Sequence, residues 1–264
     1  MPRFLANLSM LFTELPVLER FAAARQAGFR TVELQFPYEH AIADIRHALV
    51  DAGVSLYLIN LPAGDWAGGD RGIAADPARL QEFRAGVAQA LAYAGELGVR
   101  RLNCLAGRRT AAGAEAQWQT LVANVRHAAA QLRALDATLL VEPINRRDIP
   151  DFFLGTSGEA LHLLDEAAQP NLALQYDVYH MQRSEGELTE TIRANLQRIG
   201  HIQIADVPGR HQPGTGEINV RYLLNELDRI GYDGYVSLEY IPVPDTRRSL
   251  AWLEEHGFAL HPDG

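Results

Sequence analysis

The sequence predicts a closed parallel (β/α)8 barrel, the TIM-barrel architecture, as a single domain over residues 1–264. Three observations predict it. Short apolar runs alternate with longer stretches of helical period, which is the pattern of strand and helix repeating in a parallel sheet. Eight such pairs can be counted, and no linker or composition break divides them. Eight units in about 250 residues is the size of a closed barrel. An open doubly wound sheet needs fewer strands at this length, and no G-x-G-x-x-G opens a helix here.

Taken in order, the first strand is "RFLANLS" from residue 3, and the helical stretch after it stops near Gly28. "TVELQF" from 31 follows, with a helix ending at Gly53, and then "SLYLIN" from 55. Asp76-Pro77 supplies an N-cap and a first-turn proline before an apolar stripe at Leu80, Phe83, Val87, Leu91, Ala94 and Leu97, closed by Gly98. The fourth strand is "RLNCL" from 101 and the fifth "TLLVE" from 138. Thr156 and Glu159 have capping-box spacing at the next helix. "LALQYD" from 172 and "HIQIAD" from 201 are the sixth and seventh strands. The turn-rich "HQPGTGEIN" leads into the seventh helix, which ends near Gly231 before "YVSLE" from 235.

Composition narrows the function classes. The chain is 47% hydrophobic and 22% charged, with a net charge of -9 and no block of like charges. A phosphate backbone would have little to hold, so nucleic acid is not expected as a partner. No run approaches the roughly 18 apolar residues of a membrane span, and "MPRFLANLSMLF" has no small-residue cleavage site, so it reads as mature structure. Cys104 is the only cysteine and reads as a small buried apolar side chain; cytoplasm is the expected location. Homo-oligomerisation is left open.

The strand ends carry the chemistry. In a parallel barrel alternate residues face the outer helices and the interior. Leu172, Leu174 and Tyr176 share one face, leaving Gln175 and Asp177 on the other; Ile202 and Ile204 oppose His201 and Gln203; Val236 and Leu238 oppose Ser237 and Glu239; Val141 opposes Glu142. The inward face at each C-terminal end is therefore polar, at the end where barrel enzymes keep their sites. Glu142, Asp177, Gln203 and Glu239 converge from four consecutive strands. Three carboxylates so placed repel unless a cation neutralises them, and an all-oxygen donor set selects one divalent hard ion, Mg²⁺ or Mn²⁺. A cation chelated by adjacent oxygens of a hydroxy-carbonyl compound acidifies the C–H between them, and Glu142 and Glu239, nearly across the barrel from each other, are the natural acid/base pair. His180, in "YDVYH", is placed to steady a substrate oxygen.

"ANLSMLFTE" from 6, "FPYE" from 36, "NLPAGDWAGGDRGIA" from 60, "EPINRRDIP" from 142, "QYDVYHMQRSEGELT" from 175, "HIQIADVPGRHQPGTGEIN" from 201 and "EY" at 239 together carry a resemblance that spans nearly the whole chain. It resembles the hydroxypyruvate isomerase family within the xylose-isomerase-like TIM barrels. The resemblance implies a metal held at Glu142, Asp177, Gln203 and Glu239, proton transfer by Glu142 and Glu239, and interconversion of hydroxypyruvate and 2-hydroxy-3-oxopropanoate (tartronate semialdehyde). Related sugar epimerases usually carry histidine where this chain has Gln203, so the glutamine points to the hydroxypyruvate branch. Where the family often has lysine after Glu-Tyr, this chain has Ile241, so another cation must meet the substrate carboxylate.

Arg71, in the "AGGDRGIA" loop, is the first choice for that cation; Arg146, Arg147, Arg210 and His211 lie on loops at the same end and read individually as solvated charges. Asp148 is placed to bond a substrate hydroxyl or a ligand's neighbour. "GGDRG" lacks the lysine and hydroxyl of a phosphate loop, and Trp66 with the nearby Pro62 reads as a lid over the mouth. Alternatives are a 2-oxo-tetronate isomerase, another small-sugar isomerase or epimerase, a metal-dependent phosphoesterase and a non-catalytic small-acid sensor.

Overall fold

In the computed structural model, which describes residues 2–260, eight parallel strands close into a barrel in sequence order. They are β1 (Arg3–Asn7), β2 (Thr31–Glu33), β3 (Ser55–Asn60), β4 (Arg101–Cys104), β5 (Thr138–Val141), β6 (Leu172–Asp177), β7 (Ile199–Ile204) and β8 (Tyr235–Leu238). Closure is made by β1 against β8, with Phe4 opposite Val236 and Ala6 opposite Leu238. The outer layer comprises α1 (Val17–Gln26), α2 (Ile42–Ala52), α3 (Leu80–Leu97), α4 (Ala114–Leu132), α5 (Ser157–Ala167), α6 (Val178–Ser184), α7 (Leu188–Asn195) and α8 (Val220–Arg229). Two short helices, α9 (Thr246–Ser249) and α10 (Trp252–Glu255), follow β8.

The expected parity holds because each strand has two chemically different faces. Leu174, Tyr176, Ile202, Ile204, Val236 and Leu238 belong to the hydrophobic core shared with the helices. Inside the barrel, fully buried Leu5, Leu58 and Leu140 stand apart from that core. Gly200 sits where the β6–β7 register shifts. A Cβ there would lie 2.7 Å from Leu140 Cδ2 and 2.9 Å from the Ala173 Cβ, so a side chain at 200 would overfill this layer. The N-terminal end is stacked shut: Tyr57 and Tyr235 meet edge to face at 4.9 Å, with Arg101 over one ring and Arg3 over the other.

Helix caps follow the sequence signals, with one difference. Asp76 accepts from Ala78 N, and Gly53 and Gly98 take left-handed conformations at the ends of α2 and α3. Thr156 caps α5 by accepting from Glu159 N at 3.2 Å, but the Glu159 carboxylate does not complete the box. It accepts instead from Gly155 N, one residue before the cap, and from Arg146, whose guanidinium adds an opposite charge that Thr156 N could not. That pairing keeps Arg146 out of the barrel mouth.

Candidate active site

Each of the four expected strand-end groups faces the interior, and all are at least nine-tenths buried. Asp177 ends β6 and divides its oxygens between fold and site. Oδ1 accepts from Tyr179 N at 2.8 Å and so caps α6, whereas Oδ2 lies 3.5 Å from His180 Nε2 and 3.2 Å from Arg210. Glu142 is the first residue past β5. Its Oε2 accepts from Asn103 Nδ2 at 2.7 Å and from Gln175 Nε2 at 3.0 Å, and its Oε1 lies 3.9 Å from His180 Nε2. Glu239, just past β8, uses Oε1 for Gln35 Nε2 at 3.1 Å and Arg210 at 2.6 Å, while its Oε2 is buried without a partner. Gln203 lies deeper: its nitrogen donates to Glu33 and its oxygen accepts from Gln175 Nε2 at 2.7 Å.

His180 is built into the cluster by Asn145. Asn145 Nδ2 lies 2.7 Å from His180 Nδ1, so with the amide donating, the imidazole carries its proton on Nε2, facing Glu142 and Asp177. Burial, then the charges of Arg210 and Arg183, hold this histidine well below its ordinary range and keep it neutral. Asn145 also donates to Asp148, which accepts from the Tyr179 hydroxyl at 2.7 Å and pairs with Arg183 at 3.3 Å. Asp148 thus stands behind His180 rather than in the carboxylate cluster. Arg71 is elsewhere: it stacks 4.2 Å from the Trp66 ring centroid and donates to the Trp66 and Asp70 carbonyls. Trp66 and Phe36 border a cavity of about 400 Å³ on the loops after β2 and β3.

The cation among the acids is the half-buried Arg210. It extends from the loop after β7 to bridge Asp177 and Glu239, with its guanidinium 5.0 Å from the Tyr179 ring centroid. The loop is built to hold it there. The Asp206 carboxylate accepts four backbone N–H groups, from Val207, Gly214, Gly216 and Ile218. Only glycine fits at 216, where a Cβ would lie 1.9 Å from the Val207 carbonyl oxygen. Arg210 itself has φ +55, a conformation that costs a non-glycine residue about 1 kcal/mol, and its carbonyl accepts from Ile241 N at 2.7 Å.

Electrostatics follow from burial. Desolvation, then the neighbouring Asp177 charge, pushes Glu142 up to about 8. Desolvation also raises Glu239 well above the carboxylate range, and raises Asp177, with Arg210 opposing in both cases. Glu33 goes the other way despite the same burial. It accepts from Asn7, Gln203 and Ser237 and pairs with His201 at 2.8 Å, and His201's charge and bonds outweigh the desolvation. A polar floor with one settled anion therefore underlies a layer of carboxylates that is short of positive charge. One oxygen each of Glu142 and Asp177 and one nitrogen of His180 lie within 4.8 Å of one another, and Glu239 Oε2 has no donor. With the proton on His180 Nε2, the donors left for a cation are carboxylate oxygens, and hard oxygens around an uncompensated acid suit a divalent ion.

Sequence reasoning missed Glu33, Gln35 and Asn103 and left Arg210 among the solvated loop charges. Glu33 was findable, since an acid ends "TVE" as one ends "LLVE". Arg210 gave no local signal because only the loop path brings it inward.

A family model described as xylose isomerase-like TIM barrel matches residues 21–256. Hydroxypyruvate isomerase of Escherichia coli (strain K12) is 49% identical over 257 residues, covering 97% of this chain and all of that one. A 2-oxo-tetronate isomerase of Cupriavidus necator is 44% identical over 97% of this chain and 99% of the other. Among solved structures, one titled AP endonuclease, family 2, from Brucella melitensis superposes with a TM-score of 0.94 at 43% identity, covering 97% of this chain and 99% of that one. Matched along nearly its whole length, the chain belongs to the xylose isomerase-like TIM barrel family and, within it, to the hydroxypyruvate isomerase family.

Proposed function

We propose that this chain is a divalent-cation-dependent keto-aldo isomerase that interconverts hydroxypyruvate and 2-hydroxy-3-oxopropanoate by proton transfer through an enediolate. Its family is one of isomerases, and the relative at 49% identity is a hydroxypyruvate isomerase. One observation carries the reading: Glu142 and Glu239, both buried at the C-terminal mouth, each have one oxygen pinned by two donors and the other left without a close donor. Two such groups flanking one carbon chain can remove a proton at one carbon and deliver one at the next.

Glu142, Asp177 and Glu239 would hold the cation, with Gln203 the fourth candidate through its amide oxygen. Mg²⁺ or Mn²⁺ bound there would polarise adjacent substrate oxygens and lower the cost of the negative charge formed on proton loss. The remaining roles belong to side chains. His180, neutral and with Nε2–H toward the cluster, donates to a substrate oxygen, while Asn145 and Asp148 fix its ring. Arg210, the cation nearest the acids, meets the substrate carboxylate in place of Arg71, which is turned toward Trp66. Glu142, shifted to about 8, holds or releases a proton near neutral pH, as a general acid/base must.

Substitution tests the pair directly. Glu142→Gln or Glu239→Gln should abolish turnover and the exchange of substrate C–H with solvent deuterium while circular dichroism stays unchanged; parental turnover by either variant would refute the assignment. A four-carbon substrate is the second reading, favoured by the 44% identity to a 2-oxo-tetronate isomerase, and kcat/KM measured side by side on the two acids decides between them. The endonuclease title of the Brucella melitensis structure is less well matched by the site. A single histidine, His180, accompanies the carboxylate cluster, and the chain's charge of -9 repels a phosphate backbone. A lone buried cysteine fits a reducing cytoplasm.

A further inference from the structure

Asn103 and Gln175 are both buried to within 1% of complete, face the barrel interior and come from the strands on either side of β5. Their amide nitrogens converge on the same atom, Glu142 Oε2, at 2.7 and 3.0 Å. The amide orientations are determined by their surroundings. Turning Asn103 by half a rotation would set its oxygen against a carboxylate. Turning Gln175 would set its oxygen against both Glu142 Oε2 and Gln203 Oε1, two acceptors that its two N–H groups now satisfy. Gln203 is fixed in turn by donating to Glu33, an acid that accepts from three further residues. A continuous hydrogen-bonded chain thus runs from the settled anion at the floor to one oxygen of Glu142. The other oxygen, Oε1, is the one within reach of Asp177 and His180.

We infer that Asn103 and Gln175 are positioning residues that immobilise Oε2 of Glu142 and thereby fix the direction in which Oε1 faces Asp177, His180 and the space where cation and substrate would meet. The inference rests on the isomerase reading given above. It adds two residues that touch neither substrate nor cation and act through Glu142. Both donors are neutral, so they orient the carboxylate without the charge compensation that Arg210 gives Glu239. Hydrogen-bond partners that stand behind a metal ligand typically contribute about 10- to 100-fold to affinity or rate.

Asn103→Leu and Gln175→Leu, checked for folding by near-ultraviolet circular dichroism and melting, are the primary test. In each, kcat should fall about 10- to 100-fold with KM changed less than threefold, and Mn²⁺ affinity, read by electron paramagnetic resonance, should weaken about tenfold. Deuterium incorporation from solvent per turnover should rise as Glu142 loses its fixed position. The same-shape variants Asn103→Asp and Gln175→Glu, which replace the N–H by an acceptor, should be at least as impaired. Folded leucine variants with parental kcat and Mn²⁺ affinity would overturn the inference. Should any variant fail to fold, the parent protein still decides. With selective ¹⁵N labelling, the side-chain amide resonances of Asn103 and Gln175 should shift on Mg²⁺ addition, and a titration in which neither moves counts against it. Glu142→Gln separates the two levels: its retained turnover would sink the isomerase reading itself, whereas an inactive Glu142→Gln beside normal Asn103 and Gln175 variants would remove only the positioning roles.

Discussion

Glu142 is an acid in a place that disfavours its charge, and this makes it readable by titration. Its ordinary value of 4.5 rises to about 8 through burial and the Asp177 charge. Between those values the native protein binds more protons at this site than the unfolded chain does, so in cation-free protein stability should fall as pH rises from about 5 to 8. Denaturant unfolding after chelation measures this, and Glu142→Gln should flatten the slope; an equally steep decline in the variant would assign the effect to another group. Arg210 is the complementary case. Arg210→Met would leave Asp177 and Glu239 without their shared counter-ion and the substrate carboxylate without a partner, so KM should rise about 10- to 100-fold, a loss of about 1.5–3 kcal/mol. Arg210→Lys should recover part of it, since a single nitrogen, Nη2, meets both acids and an ammonium can stand in for it, whereas the planar contact with the Tyr179 ring would be lost. Steady-state kinetics on all three proteins checks both statements.

At the scale of elements, the loop after β7 does most to complete the site. Its shape depends on one side chain, the buried Asp206, which gathers four backbone N–H groups, two from buried Val207 and Ile218 and two from the exposed Gly214 and Gly216. Asp206→Ala should therefore destabilise the fold by about 3 kcal/mol, lowering Tm by about 6–12 °C. The milder Asp206→Asn, which still accepts at one oxygen, should keep the fold and raise KM, because the loop carries Arg210. Differential scanning calorimetry and kinetics separate the two effects; an unchanged Tm in Asp206→Ala would show that the loop is held by its flanks. The strands were easier to read than this loop. β6 and β8 state their inward and outward faces in alternating residues, whereas β2 is only three residues long and its register against β3 shifts at Glu33. Loop conformation depends on contacts between segments far apart in sequence, such as Arg210 with Ile241, and local pattern does not encode them.

For the whole molecule, the layer of buried acids is short of positive charge, so a cation bound there, as proposed, would link binding to fold stability. Mg²⁺ or Mn²⁺ at about 100 times its dissociation constant should stabilise the native state by about 2.7 kcal/mol and raise Tm by about 5–10 °C, reversibly with EDTA. A melting curve indifferent to both ions and chelator would take the cation out of the reading. By itself the sequence determined the barrel, because eight alternations of period and the strand-end parity are local properties of consecutive residues. It also determined that Glu142, Asp177, Gln203 and Glu239 face inward together. Only the tertiary structure decided which of the possible cations enters the site, which oxygen of each acid is pinned, and that Glu33 anchors the floor. Those outcomes depend on distances between side chains from separate strands and loops, set by closure of the barrel, and no single stretch of chain contains them.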